Sequence, residues 1–419
     1  MKHFTVTECY GSIPISDYES DALSTLQADE LSSYISMNRL DQDLIRITRK
    51  SVTFINYVGY IQLSSCSIEI LPKVSSNESS QSRRVLLHML ERTGYLDIHE
   101  SQIGQIEYEK MNLFEILASL FTEKVLRELT RGVLRTYITQ QDELNTVRGR
   151  IDTTSQMKRA HLKSTAVSCI FDEFHPDHIL NRILKTTLRK IMMQSNQLNT
   201  RKRAGHAMMY LDEVTDSIDQ RIFRSAIYFD RNNRRYEACY RLAVLLLSQS
   251  APIPQKGNKT ASSILFKMND LFESYIAHLV RKLTSHVVVK DRSYKLLIKE
   301  STDRGVFQLE PDLLISGTHG PSMIIDTKWK VIDSSYSRHG VKREDFYQMY
   351  AYLTRYEHVE TVVLLYPNHE GINRTDDSPL ESWYVEGRSD KRLLVYAINY
   401  EDESTALLEL KSIMKGYLV

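Results

Sequence analysis

Between Asp43 and Val74 apolar and polar positions alternate in short runs rich in β-branched and aromatic residues: LIRITR, SVTFINYVGYIQL and CSIEILPKV. A period of two is that of half-buried strands, so this stretch predicts a β-rich amino-terminal domain over residues 1–80. The Ser-rich segment SSNESSQS, Ser75 to Ser82, reads as a linker. Beyond it, in RRVLLHMLERTG, MNLFEILASLFTEKVLRELTRGVLRTY, HILNRILKTTLRKIMMQ and RYEACYRLAVLLLSQ, apolar residues recur every three or four positions. That is the helical period, and it predicts a mainly helical connector domain over 81–255. The Pro-, Gly- and Ser-containing stretch PIPQKGNKTASS, Pro252 to Ser263, separates it from a third pattern over 256–419.

The third region opens on a helix whose face carries Met268, Phe272, Tyr275, Leu279 and Leu283. Three strand-like runs follow, HVVVKD, RGVFQLEPDLLIS and SMIIDTKWKVI, with a turn at Gly317 to Gly320 between the last two. A helix, EDFYQMYAYLTRY, and a strand, TVVLLYP, complete an α-β-β-β-α-β order, and RLLVYAI and a helix near the carboxyl terminus come after it. The fold class expected is therefore α+β and multidomain: a β-rich amino-terminal domain, a helical middle region and a carboxy-terminal α/β domain. No internal repeat or low-complexity tract interrupts this order.

Composition narrows the classes open to such a chain. Of 419 residues 42% are hydrophobic, enough for two or three cores. Cys9, Cys66, Cys169 and Cys239 are scattered without paired spacing, so neither a disulfide framework nor a zinc knuckle is expected, and a cytoplasmic location fits. The amino terminus has no apolar signal region, and the longest aliphatic run, Leu242 to Leu247, is far too short for a membrane span. A formal net charge of +1 is unlike a protein that seizes DNA by bulk electrostatics. Either basic residues are concentrated locally or a partner holds the nucleic acid.

The residues with the clearest chemistry lie on the two strands flanking the Gly317 to Gly320 turn. Asp312 follows Pro311 near the middle of one, and Asp326-Thr327-Lys328 lies on the next. Period-two geometry puts Asp326 and Lys328 on one face, and a hairpin can bring Asp312 beside them. Two carboxylates suit a hard cation such as Mg²⁺, with the Thr327 carbonyl as a further ligand, and the chemistry that follows is phosphodiester hydrolysis. Lys328 would position water and offset transition-state charge. Glu273 on the preceding helix can reach the metal directly or through water, and Gln348 and Tyr352, four apart on the following helix, share one face, where they could bind a DNA phosphate or support the lysine. Asp172, Glu173, His175, Asp177 and His178 crowd a loop before a helix, where capping by Asp177 or His178 is the simpler role than metal binding. The basic clusters Arg231, Arg234, Arg235 and Lys202, Arg203 suit either DNA or solvent.

This constellation resembles the PD-(D/E)XK nuclease superfamily over the last third of the chain, and Gln348 to Tyr352 resembles an extra motif of its RecB-like and Cas4-like branches. More of the chain is similar to one family, McrC, the nuclease subunit of McrBC-type restriction systems. The segments that carry the likeness are VGYIQLSSCSIEILPKV (Val58 to Val74), VRGRID (Val147 to Asp152), FDEFHPDHILNRILK (Phe171 to Lys185), MNDLFESYI (Met268 to Ile276) and DTKWK (Asp326 to Lys330). The resemblance implies a restriction-endonuclease-like domain that cuts double-stranded, methylcytosine-containing DNA, and a partner resembling McrB, a GTP-hydrolysing AAA+ hexamer that this subunit stimulates. The chain has no G-x-x-x-x-G-K-[ST] loop, and GNKT at Gly257 to Thr260 lacks the spacing, so GTP is expected on the partner. Two other readings stand beside this one: an autonomous Cas4- or RecB-like nuclease, disfavoured by the scattered cysteines, and a non-catalytic regulator of an AAA+ ring.

Overall fold

The computed structural model describes all residues except 1, 10, 41–44, 75–77, 97–110, 159–164, 217–226, 248–249, 253–259, 317–321, 370–371, 373–377, 416 and 418–419. The chain forms two compact units, one of Met1–Lys110 with Gln249–Val419 and one of Met111–Ser248. This differs from the three consecutive domains expected, and the difference has a physical origin in strand pairing. The strand Thr260–Lys267, assigned by sequence to the carboxy-terminal domain, runs antiparallel to Tyr57–Gln62 and completes a five-stranded sheet with Lys2–Thr7, Cys66–Leu71 and Ser250–Pro252. Ala261 is accordingly part of the apolar core made by Phe4, Val6, Ile61, Ile68 and Ile70.

The segment around residue 80 is not a linker either. A helix begins at Ser79, and its Arg83 is buried against the fully enclosed Glu69 of strand Cys66–Leu71, with nitrogen-to-oxygen distances of 2.7 to 3.1 Å. Polar composition at Ser79 to Ser82 therefore marks a helix start, as Ser often does.

The carboxy-terminal part of the first unit carries six strands, here β1 (Val287–Val289), β2 (Leu313–Ile315), β3 (Ser322–Thr327), β4 (Val359–Pro367), β5 (Glu381–Val385) and β6 (Arg388–Ile398). Its helices are α1 (Met268–Leu283), α2 (Arg343–Arg355) and α3 (Glu403–Ile413). The sheet order is β1-β2-β3-β4-β6-β5, antiparallel at β1/β2, β2/β3 and β5/β6 and parallel at β3/β4 and β4/β6. The strand pair β3 and β4 joined through α2 is a β-α-β crossover, which explains why both read as continuous apolar runs rather than alternating ones. Met349, Tyr352 and Leu353 of α2, with Tyr356 just after it, pack on Ile324 of β3 and Val362, Leu364 and Tyr366 of β4. Helix α1 contacts β3 and also packs against α3 and the helix Ser79–Arg92.

RGVFQLEPDLLIS, expected as one strand, is two. Pro311 has no N–H to give a ladder, and the chain splits into Arg304–Gln308, which pairs with Lys295–Lys299 as a separate ribbon, and β2. Asp312 therefore stands just before β2 instead of in mid-strand. The turn Gly317 to Gly320 lies outside the described residues.

The second unit packs helices Leu113–Thr130, Ile179–Gln194, Leu198–Met209 and Glu237–Leu247 together, as the helical period predicts. It also holds a three-stranded antiparallel sheet, Thr136–Leu144, Val167–His175 and Arg150–Ile151, that the helical reading missed. The long run ending in RGVLRTY stops being helical at Thr130 because Gly132 adopts φ +118, a left-handed value that ends the helix. Among the described residues no helix is long and apolar enough to cross a membrane.

Gly59 carries the join between the amino-terminal strands and Thr260–Lys267. Its φ is +137, and an added Cβ would overlap the Ile264 carbonyl. Gly59→Ala is expected to destabilise the first unit by more than about 1 kcal/mol, the ordinary limit for a compatible Gly→Ala exchange, read as a lower urea midpoint.

Candidate functional site

Register places the two aspartates before any side-chain contact is considered. Leu313 pairs with Ile325 across β2 and β3, so one step further along the antiparallel pair Asp312 faces Asp326. Directly opposed residues share a sheet face. Lys328 continues the pattern: its backbone N–H donates to the Leu365 carbonyl at 2.9 Å, which keeps it in line with β3 and on the same face as Asp326.

The side chains converge as this geometry requires. Asp312 Oδ2 accepts hydrogen bonds from the Thr327 N–H and hydroxyl, both at 2.7 Å. The Lys328 ammonium forms an ion pair with Asp326 Oδ1 and donates to Gln348 Oε1 at 3.1 Å. Gln348 Nε2 in turn donates to the Tyr352 hydroxyl at 2.8 Å. A connected line runs from Asp326 through Lys328 and Gln348 to Tyr352, and α2 supplies its last two members from one face at i, i+4 spacing.

Electrostatics set this centre apart from an ordinary ion-paired surface. Asp326 is only 1% exposed. Burial pushes its carboxyl up to about 7, the Asp312 charge adds to the rise, and Lys328 opposes it. Burial and then Asp312 also raise Glu273. Lys328 is held above its usual range: burial works against its charge, and Asp326 outweighs it. Asp312 thus acts on two other carboxylates, and the enclosed Asp326 Oδ1 meets the Lys328 ammonium without accepting a hydrogen bond of ordinary geometry.

Three residues that the linear motifs do not include belong to these surroundings. Lys290, directly after β1, pairs with Glu273 at 3.1 Å, and its N–H donates to the Asp312 carbonyl at 3.0 Å. Asp345, buried at the start of α2, accepts from Lys330 at 2.8 and 3.0 Å and from the Tyr366 hydroxyl at 3.2 Å, and its charge adds to the rise at Asp326. Glu8, 2% exposed on the amino-terminal side of the unit, accepts from the Trp329 indole N–H at 2.6 Å. Trp329 packs on Phe272 and Tyr400 with ring centroids 5.2 and 5.1 Å away. Only Lys330 and the tryptophan of DTKWK hint at these contacts; nothing in a linear sequence links Glu8 to residue 329.

The other sequence candidates do not form a site. Asp172 and Glu173 lie on the strand Val167–His175, where Asp172 accepts from the Thr139 hydroxyl at 2.8 Å and Glu173 meets Arg148 at 3.4 Å. Asp177 pairs with Arg182 at 2.5 Å, and His178 caps the following helix by accepting from the Leu180 N–H at 3.1 Å. Capping, as expected, is the role of His178. Arg235 reaches the Gly132 carbonyl and Arg203 the Ser119 hydroxyl, both internal contacts. Among the described residues no three His, Cys, Asp or Glu side chains stand ready-made as a metal cage.

A mixed sheet with opposed aspartates at one end, a lysine beside them and a glutamine-tyrosine pair on the crossover helix defines a mixed α/β protein with a carboxylate-lysine centre. The chain belongs to the McrBC family, described as "McrBC 5-methylcytosine restriction system component", whose model matches residues 52–367. It is 24% identical over 251 residues to the Type IV methyl-directed restriction enzyme EcoKMcrBC of Escherichia coli K12, covering 55% of this chain and 70% of that protein. In structure it is similar to a chain from a half-complex of Thermococcus gammatolerans McrB AAA+ hexamers with bound McrC, at TM-score 0.76 and 17% identity over 98% of this chain and 100% of that one. A chain of the McrBC complex from the same organism aligns at TM-score 0.54 and 21% identity, covering 68% of this chain and 89% of the other. At these identities the structural likeness is one of fold.

Glu8 and Asp326 are both pushed up to about 7 by burial, from ordinary values of 4.5 and 3.8. A raised carboxyl favours the protonated form in the fold. Its contribution to stability is therefore complete below the unfolded value and is lost as pH rises through about 7. Glu8→Gln keeps an oxygen for the indole N–H and removes one titration, so its unfolding free energy should fall less between pH 4.5 and 7.5 than that of the parent chain. Glu8→Ala should lose about 1–3 kcal/mol through the unpaired indole N–H. Urea unfolding across that range checks both, and an unchanged slope for Glu8→Gln would remove Glu8 from the account.

Proposed function

We propose that the chain is the Mg²⁺-dependent endonuclease subunit of a McrBC-type complex, cutting methylcytosine-containing double-stranded DNA and stimulating an AAA+ GTPase hexamer that binds the GTP. The observation that carries the reading is the opposed pair Asp312 and Asp326 with Lys328 beside them, in a chain of this family. The PD-(D/E)XK assignment rests on that same pair together with the strand order β1-β2-β3-β4 and the α2 crossover.

The donor set fits a hard cation. Its ligands are carboxylate oxygens, they repel one another, and the enclosed Asp326 oxygen has an ammonium but no ordinary hydrogen bond. Two carboxylates without a full cage suit Mg²⁺, which keeps several waters. Asp312 and Asp326 would hold it, with the Thr327 carbonyl and, through water, Glu273. When bound, it would supply Lewis-acid polarisation of the phosphoryl oxygen and a lower pKa for an attacking water.

This chain's own groups do the rest. The two Thr327 hydrogen bonds fix the Asp312 carboxylate through its Oδ2. Lys328, oriented by Gln348, and Gln348 by Tyr352, would place an ammonium beside the phosphoryl group, where negative charge grows as one P–O bond forms from water and one breaks to the leaving deoxyribose oxygen. Lys290 would need to leave Glu273 for that carboxylate to serve the centre. The absence of a phosphate loop in the sequence agrees with nucleotide hydrolysis on another chain.

Asp326→Ala and Lys328→Ala are expected to lower DNA cleavage by the assembled complex by a factor of about 10² or more, the usual scale for losing a charge-stabilising group, with GTP hydrolysis by the ring retained. Full-rate cutting by either variant would sink the assignment. If GTPase stimulation is all that the parent chain provides, the regulator reading replaces it; cutting without ring or GTP favours the autonomous nuclease. Proton and metal compete for Asp326, so Mg²⁺ should raise the melting temperature more at pH 8 than at pH 6. A pH-independent gain would place the ion elsewhere.

A further inference from the structure

Between β1 and β2 the chain leaves the sheet as a two-stranded ribbon, Lys295–Lys299 paired with Arg304–Gln308. Its base is fixed. Gln308 Nε2 donates to the Arg292 and Tyr294 carbonyls at 2.9 and 2.7 Å, Arg355 Nε donates to the Lys295 carbonyl at 3.2 Å, and Tyr294 packs edge-on against Tyr356 at 4.6 Å. Both ends run into the carboxylate centre: Lys290 enters from β1, and Leu309 to Pro311 leads back to Asp312.

Nothing in the centre's chemistry accounts for the ribbon's surface. Ile298 is 63% exposed and Phe307 68%, with Leu297 also exposed. Phe307 has φ +58, a left-handed value unfavourable for an aromatic residue, so exposure and backbone strain fall on the same position. Lys299 lies directly opposite Arg304 in the register, and such like-charged pairs are destabilising. Among the described residues neither of them, nor Lys295, makes an ion pair. The stem of Lys295 lies over Gly305, where any Cβ would collide with it. A local cost of this kind is relieved when an anion sits between the cations.

We propose that this ribbon is a duplex-DNA contact, binding backbone phosphates beside the cleavage centre through Lys295, Lys299 and Arg304 and laying Leu297, Ile298 and Phe307 against sugars and groove wall. A two-stranded ribbon fits the major groove, and apolar side chains of DNA-binding elements wedge against bases or sugars. A polyanion is favoured over a protein partner because Lys299 and Arg304 face each other across the strands, with Glu300 and Asp303 confined to the turn beyond them, and because the ribbon is continuous with the centre that would act on phosphate. The inference rests on the proposed nuclease reading for the role of the contact, but its test does not.

The test uses the full chain and a labelled 30-base-pair duplex without divalent metal, measured by anisotropy across a salt series. Lys299→Ser with Arg304→Ser is expected to weaken binding about tenfold near 0.1 M salt and to flatten the slope of log K against log salt by about 1 to 2, close to 0.9 for each phosphate that is no longer neutralised. Lys299→Arg with Arg304→Lys should keep the parent slope, and Phe307→Ser should weaken binding at all salt concentrations with the slope unchanged. Unaltered affinity and slope in the double serine variant, or no duplex binding by the parent chain, overturns the proposal. So does loss of AAA+ ring binding with DNA affinity intact. Cleavage by Asp326→Ala in the assembled complex separates the two readings: if that variant still cuts, the nuclease reading fails while the affinity result for the ribbon stands.

Discussion

Two aspartates opposed across an antiparallel pair, one of them sealed from water, form an arrangement that the rest of the first unit has to hold against its own charge. Burial and the Asp312 charge disfavour ionised Asp326, and the Lys328 ion pair offsets only part of this. The opposition survives because register, not side-chain choice, imposes it. Leu313 to Ile315 pair with Met323 to Ile325, and β3 is locked in parallel to β4 under the apolar face of α2. Separating Asp312 from Asp326 would mean slipping a strand whose six residues are all buried, which exchanges every apolar side chain between faces.

The amino-terminal strands belong to the same apparatus, not to a separate module. Helix α1, which carries Glu273, has no capping side chain of its own at Lys267. Asn56, in the turn before Tyr57–Gln62, takes that place: its carbonyl accepts from the Met268 N–H and its side-chain oxygen from the Asn269 N–H, each at 3.0 Å. Glu8 does for the segment after β3 what Asn56 does for α1. It fixes Trp329, which lies between Lys328 and Lys330 in sequence and against Phe272 of α1 in space. A buried carboxylate whose side-chain partners are the Trp329 indole and the Cys9 thiol is costly in isolation, and it makes sense as a constraint on the direction in which Lys328 leaves the sheet.

The convergence of these side chains was legible in the sequence because its determinants are local. Asp326 and Lys328 share a face by strand period, Gln348 and Tyr352 by helix period, and these relations survive whatever the tertiary fold does. Asp312 was legible as a candidate but misplaced, since the ribbon and Pro311 interrupt a run whose composition is that of one strand. The domain plan failed for the complementary reason. Pairing of Thr260–Lys267 with Tyr57–Gln62 and burial of Arg83 against Glu69 join residues far apart in sequence, and neither periodicity nor polar punctuation carries that information. The middle unit shows the same limit on a smaller scale, where a glycine at φ +118 ends a helix although the apolar period runs on.

Charge then links the two halves of the proposed nuclease. With a net charge of +1 the chain has little general attraction for a polyanion, and the carboxylates at the centre repel phosphate at short range. Under the proposed reading, a cation at Asp312 and Asp326 removes that repulsion at the point where the scissile group must lie, while the cations of the ribbon act a few residues away along the chain. Metal and duplex should therefore bind with positive coupling, each raising the affinity of the other by the same factor. Under that reading, a centre that repels phosphate until it is loaded, set beside a ribbon with few cations, makes cutting depend on an assembly that brings the duplex to it.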